Sequence, residues 1–249
     1  MRVKTRGMDG EMGKQVVVFG ATGGIGKALV AQLAADPSVA RIHAGGRNPI
    51  ATDDSKLVPF AFDLKDEDSI ARAAAAVEGP VDLIFVATGM LHRHDGPAPE
   101  KSLRALDGAA MAELFAINTI GPATIARHFV PLLPRDRRGV FAALSARVGS
   151  ITDNRLGGWH SYRASKAALN MLMLNIAIEL RRTHPQAVVA ALHPGTVDTS
   201  LSAPFQRGVS PEKLFSPVQS TAYLLSVLNS LSPEDSGGLF AWDGTRLPY

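Results

Sequence analysis

A phenol and an ammonium stand four residues apart in Gly158-Trp-His-Ser-Tyr162-Arg-Ala-Ser-Lys166-Ala-Ala-Leu-Asn170. The Ala-Ala-Leu tail favours a helix, and on a helix positions i and i+4 share a face, which makes Tyr162 and Lys166 neighbours. Paired in this way they are candidates for moving a proton to and from an oxygen. The competing reading is an ordinary solvated tyrosine beside a surface lysine, since such pairs recur by chance.

A second chemical signal lies upstream. Gly20-Ala-Thr22-Gly23-Gly24-Ile25-Gly26 stands between an apolar, β-branched run at 15–19 and a helix-forming stretch at 27–35. There the backbone must turn tightly and let a pyrophosphate approach the helix N-terminus, whose free N–H groups and positive dipole end favour anions. The cluster fits G-x-x-x-G-x-G through Gly20, Gly24 and Gly26, and equally G-x-x-G-x-x-G through Gly20, Gly23 and Gly26. Any tight strand–helix turn can want one glycine; several in this context point to dinucleotide binding.

The elements that would position these groups alternate along the chain. Apolar runs at 15–19, 39–44, 58–62, 81–87, 139–144 and 187–192 read as strands, and the stretches 27–35, 66–77, 111–129 and the one carrying Tyr162 read as helices. Such alternation predicts right-handed crossovers and a parallel sheet with helices on both faces. No Pro-, Gly- or Ser-rich linker divides the chain. The expectation is one α/β domain over 15–249, a Rossmann-type doubly wound parallel sheet, preceded by a mobile leader at 1–14.

Lys plus Arg number 26 and Asp plus Glu 23, a net charge of +3. That excess suits an anionic small ligand and is too small to argue for nucleic acid. No cysteine is present, which excludes disulfides, thiolate metal sites and a cysteine nucleophile. His92-Arg-His94-Asp95 has no further ligand at a metal spacing and reads as an exposed loop, so no metal is expected. No apolar stretch reaches the roughly 18 to 20 residues that a membrane span requires. The N-terminus lacks the apolar core of a signal peptide, which leads us to expect a cytoplasmic protein.

From residue 15 onward the chain resembles the short-chain dehydrogenase/reductase family. In that family Y-x-x-x-K is the acid/base motif: the lysine and the oxidised nicotinamide lower the tyrosine pKa, and the lysine holds the nicotinamide ribose. The resemblance therefore implies catalytic roles for Tyr162 and Lys166, with Asn118 in a water relay to the lysine. It implies cofactor contacts from Gly20, Thr22, Gly23, Gly24, Ile25 and Gly26, and from Ala87-Thr88-Gly89 in place of the usual Asn-Ala-Gly. Asp63 and Leu64 match the adenine-contacting segment, and Pro194, Gly195, Val197 and Thr199 match P-G-x-V-x-T at the carboxamide end. The position where an NAD-binding member carries an acid is Gly46, followed by Arg47, a partner for a 2′-phosphate; NADP(H) is thus favoured over NAD(H).

The substrate-orienting serine is altered. The slot before x-x-Gly149 holds Ala146, leaving Ser145, one position early, or Ser150 to serve. Leu-Ser-Ala-Arg-Val-Gly-Ser with Tyr-Arg-Ala-Ser-Lys resembles the branch containing the C-factor signalling protein and the sniffer-type carbonyl reductases. The implied activity is hydride transfer between nicotinamide and a small carbonyl or alcohol; the alternative is a cofactor-binding signalling protein with little turnover. The resemblance also implies a homodimer or homotetramer, with Ala112, Phe115, Ala116, Thr119 and Ala123 as a candidate seam. Residues 200–217 are expected to form a substrate lid.

Overall fold

Three consecutive valines followed by phenylalanine make a segment with no polar face, which is stable only when covered on both sides. In the computed structural model, which describes residues 13–92 and 98–249, this segment is β1 (Lys14–Phe19), and Val16 to Phe19 are all buried. It is flanked by β2 (Val39–Gly46) and β4 (Leu83–Val86), with β3 (Leu57–Ala61) outside β2 and β5 (Val140–Leu144) and β6 (Val188–His193) beyond β4. The sheet continues into β9 (Leu239–Ala241), parallel to β6, and closes with antiparallel β10 (Arg246–Leu247). The order β10-β9-β6-β5-β4-β1-β2-β3 reverses direction between β1 and β4, which opens a crevice at the strand C-termini.

Helices cover both faces. On one, α1 (Gly24–Ala35) and α6 (Pro217–Ser230) bury Leu29, Leu33, Leu224 and Val227 against the even-numbered residues of β1 and β6. On the other, α2 (Glu67–Ala75), α4 (Gly121–Phe129) and α5 (His160–Leu180) pack Ile70, Phe129, Leu169 and Met173 against Phe19, Phe141 and Val189. Period-2 alternation along the strands divides the core into these two layers.

All six expected strands are present, with shifts of a residue or two at their ends. β1 begins at Lys14, inside the expected leader; residues 1–12 of that leader lie outside the described residues. Pro59 is tolerated in β3 because that strand is the sheet edge, where a missing N–H leaves no ladder partner unpaired. The stretch expected at 111–129 starts earlier, as α3 (Gly108–Phe115), capped by Asp107, which accepts Ala110 N–H at 2.7 Å. It runs into α4 through a π turn at Ala116–Ile120, centred on Asn118. One expectation is corrected: the helical run Gly108–Leu132 is, by length and composition alone, long and apolar enough to cross a membrane. Here it packs beside α5 and the sheet, yet only 33% of its most apolar window is buried within the chain.

Candidate active site

Tyr162 and Lys166 lie one turn apart on α5, both buried, with the ammonium 5.9 Å from the phenol ring centroid. Lys166 Nζ donates to Leu144 O at 2.8 Å, tying this face of α5 to the end of β5. Gly149 permits that approach, because a Cβ there would lie 2.7 Å from Lys166 Cβ. Burial pushes the Tyr162 phenol up from its ordinary value and brings Lys166 down to about 7. The protein alone thus does the reverse of what the resemblance implies for the phenol, because desolvation outweighs a lysine at this distance.

Asn118 is fully buried and clamps the loop after β4. Its Oδ1 accepts Met90 N–H at 2.8 Å, and its Nδ2 donates to Met90 O at 2.7 Å and to Ser165 Oγ at 3.0 Å. A π turn re-aims side chains locally, and this one directs the amide inward. Between Asn118 and Lys166 lies Gly89, where a Cβ would sit 3.6 Å from Lys166 Nζ and 3.7 Å from Asn118 Oδ1.

The glycine turn is selective about where it needs glycine. Gly20 has φ +82°, and a Cβ on Gly26 would meet Gly20 O at 2.0 Å. One on Gly24 would lie 2.6 Å from Thr199 Cγ2, whereas one on Gly23 meets only Gly20 O at 3.4 Å, an ordinary contact. The steric requirement therefore falls on 20, 24 and 26, the first of the two spacings. Thr199 closes the turn from the opposite side, and Gly195, at φ +78°, lets Phe215 pack within 2.6 Å of where its Cβ would stand.

One cleft of ≈ 470 Å³ joins these parts. Gly23, Gly24, Ile25, Ala87, Thr88 and Gly89 line one end. Tyr162, Lys166 and Ser145 lie further along, with Pro194, Gly195, Val197 and Thr199 opposite. Gly20, Thr22, Gly26, Arg47, Asp63, Leu64 and Asn118 are not on its walls. Gly20 and Gly26 shape the turn, and Thr22 packs over Gly46, whose Cβ would be 3.1 Å from Thr22 Cγ2. Arg47 is exposed beyond β2, with no partner among the described residues. Asp63 accepts Lys65 N–H at 2.8 Å, and the N-cap of α2 is Asp66 rather than Asp63. Leu64 packs against Gly121.

The three serine-slot candidates separate clearly. Ala146 packs with Tyr162, Leu91 and Leu114, so the position facing the phenol carries no hydroxyl. Ser145 is on the cleft wall, but its hydroxyl donates to Asn170 Oδ1 at 2.6 Å. Ser150 is off the wall and accepts Asp153 N–H at 3.1 Å.

Several wall residues carry no motif and escaped the sequence reading. Trp159 stands edge-on to Phe205, ring centroids 5.2 Å apart, and 6.3 Å from Tyr162. Its φ of +50° follows Gly157 and Gly158, also left-handed, and the double glycine was the available signal for this turn. Glu100 holds the start of α5: its carbonyl accepts Trp159 N–H at 2.5 Å, and its carboxylate accepts the Ser161 hydroxyl. The expected lid is structured: β7 (Thr196–Val197) pairs with β8 (Leu214–Phe215), and Leu201, Phe205 and Val209 reach the cleft. Of the histidine-bearing loop, His92 lies edge-on to Phe205, while Arg93, His94 and Asp95 lie outside the described residues. His160 opens α5 and is off the cleft wall.

A sheet with this strand order, a glycine turn at its switch point and a buried Tyr–Lys pair on the fifth helix define a nicotinamide-dependent oxidoreductase. The family model for short chain dehydrogenases matches residues 14–209, and the chain belongs to the short-chain dehydrogenase/reductase family. It is 33% identical to C-signal of Myxococcus xanthus over 180 residues, 72% of this chain and 99% of that protein. The NADPH-bound carbonyl reductase from chicken fatty liver superposes with a TM-score of 0.80 at 27% identity, over 95% of this chain and 99% of that one. The carbonyl reductase Sniffer of D. melanogaster shares the fold at a TM-score of 0.83 and 22% identity, covering 96% of this chain and 100% of that one.

Proposed function

We propose that the protein is an NADP(H)-dependent carbonyl reductase acting on a small uncharged carbonyl or alcohol, with Tyr162 as the acid/base. The observation that carries this reading is the single cleft that has the glycine turn on one wall and the Tyr162–Lys166 pair on another. A cofactor fits the residues present: Gly23 and Gly24 leave backbone bare on the cleft wall where a pyrophosphate would approach, and Thr88 Oγ1 is buried without a partner among the described residues. The turn and the α1 N-terminus would hold the pyrophosphate, Lys166 the nicotinamide ribose, and 194–199 the carboxamide end. When bound, the reduced nicotinamide supplies the hydride to the substrate carbon. Tyr162 gives its proton to the substrate oxygen, and Lys166 orients the phenol and steadies the phenolate. The opening at Gly89 is the proposed water route between Lys166 and Asn118.

NADP(H) is favoured because Arg47 offers a guanidinium with no partner among the described residues, while position 46, tight against Thr22, carries glycine and not the acid an NAD site wants. The NADPH carried by the chicken reductase supports the same choice. Leu91, Ala146, Val148, Trp159, Leu201 and Phe205 favour an apolar substrate body. A homo-oligomer is part of the reading, since Ile120, Met171 and Ile178 are more than half exposed on neighbouring helices.

The second reading, a cofactor-binding signalling protein with little turnover, is favoured by one observation, the alanine facing Tyr162, together with the likeness to C-signal. Incubation with NADPH and 4-nitrobenzaldehyde, 2,3-butanedione or cyclohexanone separates the two. Oxidation of NADPH supports the reductase, whereas tight NADPH binding without turnover supports the alternative.

A further inference from the structure

The helix that carries Tyr162 and Lys166 begins without a cap of its own. The N-cap of α5 is Trp159, whose side chain makes no capping hydrogen bond, and the first turn holds no acidic residue. By contrast, Asp107 caps α3, and Ser216 with Gln219 forms a capping box on α6. A helix start leaves its first four N–H groups without intrahelical partners, and Tyr162 is the third residue of α5. The residue read as the acid/base therefore sits in the turn that frays first. Lys166 lies a full turn deeper and is anchored on Leu144 O.

The missing acid comes from another segment. Glu100, 61 residues before Ser161, lies against this helix end. Its carboxylate accepts the Ser161 hydroxyl and, at 3.4 Å, the Ser161 N–H, while its backbone carbonyl accepts Trp159 N–H. Ser161 is buried, so its donors depend on protein partners, and the helix dipole favours a carboxylate at this end. The chain enters the helix through three left-handed residues, Gly157, Gly158 and Trp159, at φ +62°, +65° and +50°. A tryptophan persists in that region only where its surroundings fix it. Glu100 does so from one side. From the other, Arg163 Nε donates to Gly158 O at 3.0 Å and its Nη1 to Val148 O at 3.2 Å. Glu100 also lines a cavity of ≈ 40 Å³ with Leu91 and Leu114, which belong to the apolar cluster around Tyr162.

We propose that Glu100 is a positioning residue for the reaction: its carboxylate, bound to Ser161, fixes the first turn of α5 and so the place at which the Tyr162 phenol meets the substrate oxygen. This rests on the carbonyl-reductase reading above. Glu100 is not on the cleft wall, so it acts through its neighbours rather than on the reacting atoms. Without the carboxylate, two buried donors of Ser161 lose their partner, and the turn must rearrange to satisfy them. Tyr162 is the next residue and moves with it. A shift of about 1 Å at a proton donor can cost on the order of a hundredfold in rate. Lys166 keeps its tie to β5, so cofactor affinity should survive a change that slows the chemistry.

The test compares Glu100→Ala, Glu100→Gln, Ser161→Ala and the double variant Glu100→Ala/Ser161→Ala, each well below its melting temperature. It measures kcat and KM on the carbonyl probes above and the NADPH Kd by fluorescence titration. Glu100→Ala should lower kcat by roughly tenfold to a hundredfold, with carbonyl KM and NADPH Kd within about threefold of the parent. Glu100→Gln keeps an oxygen that accepts the Ser161 hydroxyl and should hold kcat within about threefold. In the Ser161→Ala background, Glu100→Ala should cost several-fold less than in the parent, because the hydroxyl it would orphan is gone. Parental kcat in Glu100→Ala, a loss of NADPH affinity in step with kcat, a glutamine variant as slow as the alanine one, or full additivity with Ser161→Ala would each overturn the proposal. An inactive Tyr162→Phe beside a fully active Glu100→Ala overturns the role of Glu100 alone. A parent that reduces none of the probes overturns both readings.

Discussion

Lys166 is a lysine taken out of water. A lysine brought down to about 7 when folded, against 10.5 when unfolded, binds fewer protons in the native state between those values. Stability must then rise with pH across that window, and below about 7 the protein carries the full cost of a buried ammonium. Lys166→Met removes that cost. The Tm of the variant relative to the parent should therefore be higher at pH 6 than at pH 10, while its turnover collapses; a pH-independent difference would contradict the assignment. At the rim, Arg47→Glu removes a phosphate partner and adds repulsion, so NADPH affinity should fall at least tenfold more than NADH affinity. An unchanged ratio by calorimetry would remove Arg47 from the cofactor site. That Tyr162 and Lys166 share a helix face was legible from their spacing, while their roles and that of Asn118 came only with the resemblance. That the Ser145 hydroxyl is committed was not legible, because it depends on Asn170, 25 residues away.

At the scale of elements, the phosphate turn makes a sharp distinction within one glycine cluster. Gly23→Ala places a methyl in ordinary contact and should change stability by less than about 1 kcal/mol. Gly26→Ala drives a Cβ into Gly20 O and should cost about 3 kcal/mol or more. Thermal melts of the two variants decide; equal losses would mean the turn is looser than the packing indicates. By residue type the cluster fits both glycine spacings, which differ only in which Cα faces backbone, and it was the resemblance, with the length of the chain, that favoured the first. Six strands and the main helices were readable from apolar runs. β9 and β10 were not: three and two residues are too short for a periodic pattern, and they are held by β6 and by Ser236 Oγ accepting Val189 N–H at 2.9 Å. The π turn escaped too, because its cause is the tertiary clamp of Asn118 on Met90.

For the molecule as a whole, Ile120 on the helical run Gly108–Leu132 and Met171 and Ile178 on α5 are apolar side chains more than half exposed. Part of the expected seam turns inward: Thr119 donates to Ser165 O at 2.8 Å, and of the five only Ala112 is exposed. The exposed Ile120, Met171 and Ile178 mark the face better, and sedimentation at micromolar concentration should give a dimer or tetramer. Ile120→Glu should shift that equilibrium toward monomer, and a monomeric parent would refute the oligomer. The central claim remains that this cleft reduces carbonyls through one phenol. The direct measurement is single-turnover oxidation of NADPH by Tyr162→Phe, paired with its NADPH Kd. The ring is retained and one hydroxyl is lost, so binding should stay near the parental value while the rate falls by at least about a hundredfold. Parental turnover in Tyr162→Phe, on a substrate the parent reduces, would contradict the account.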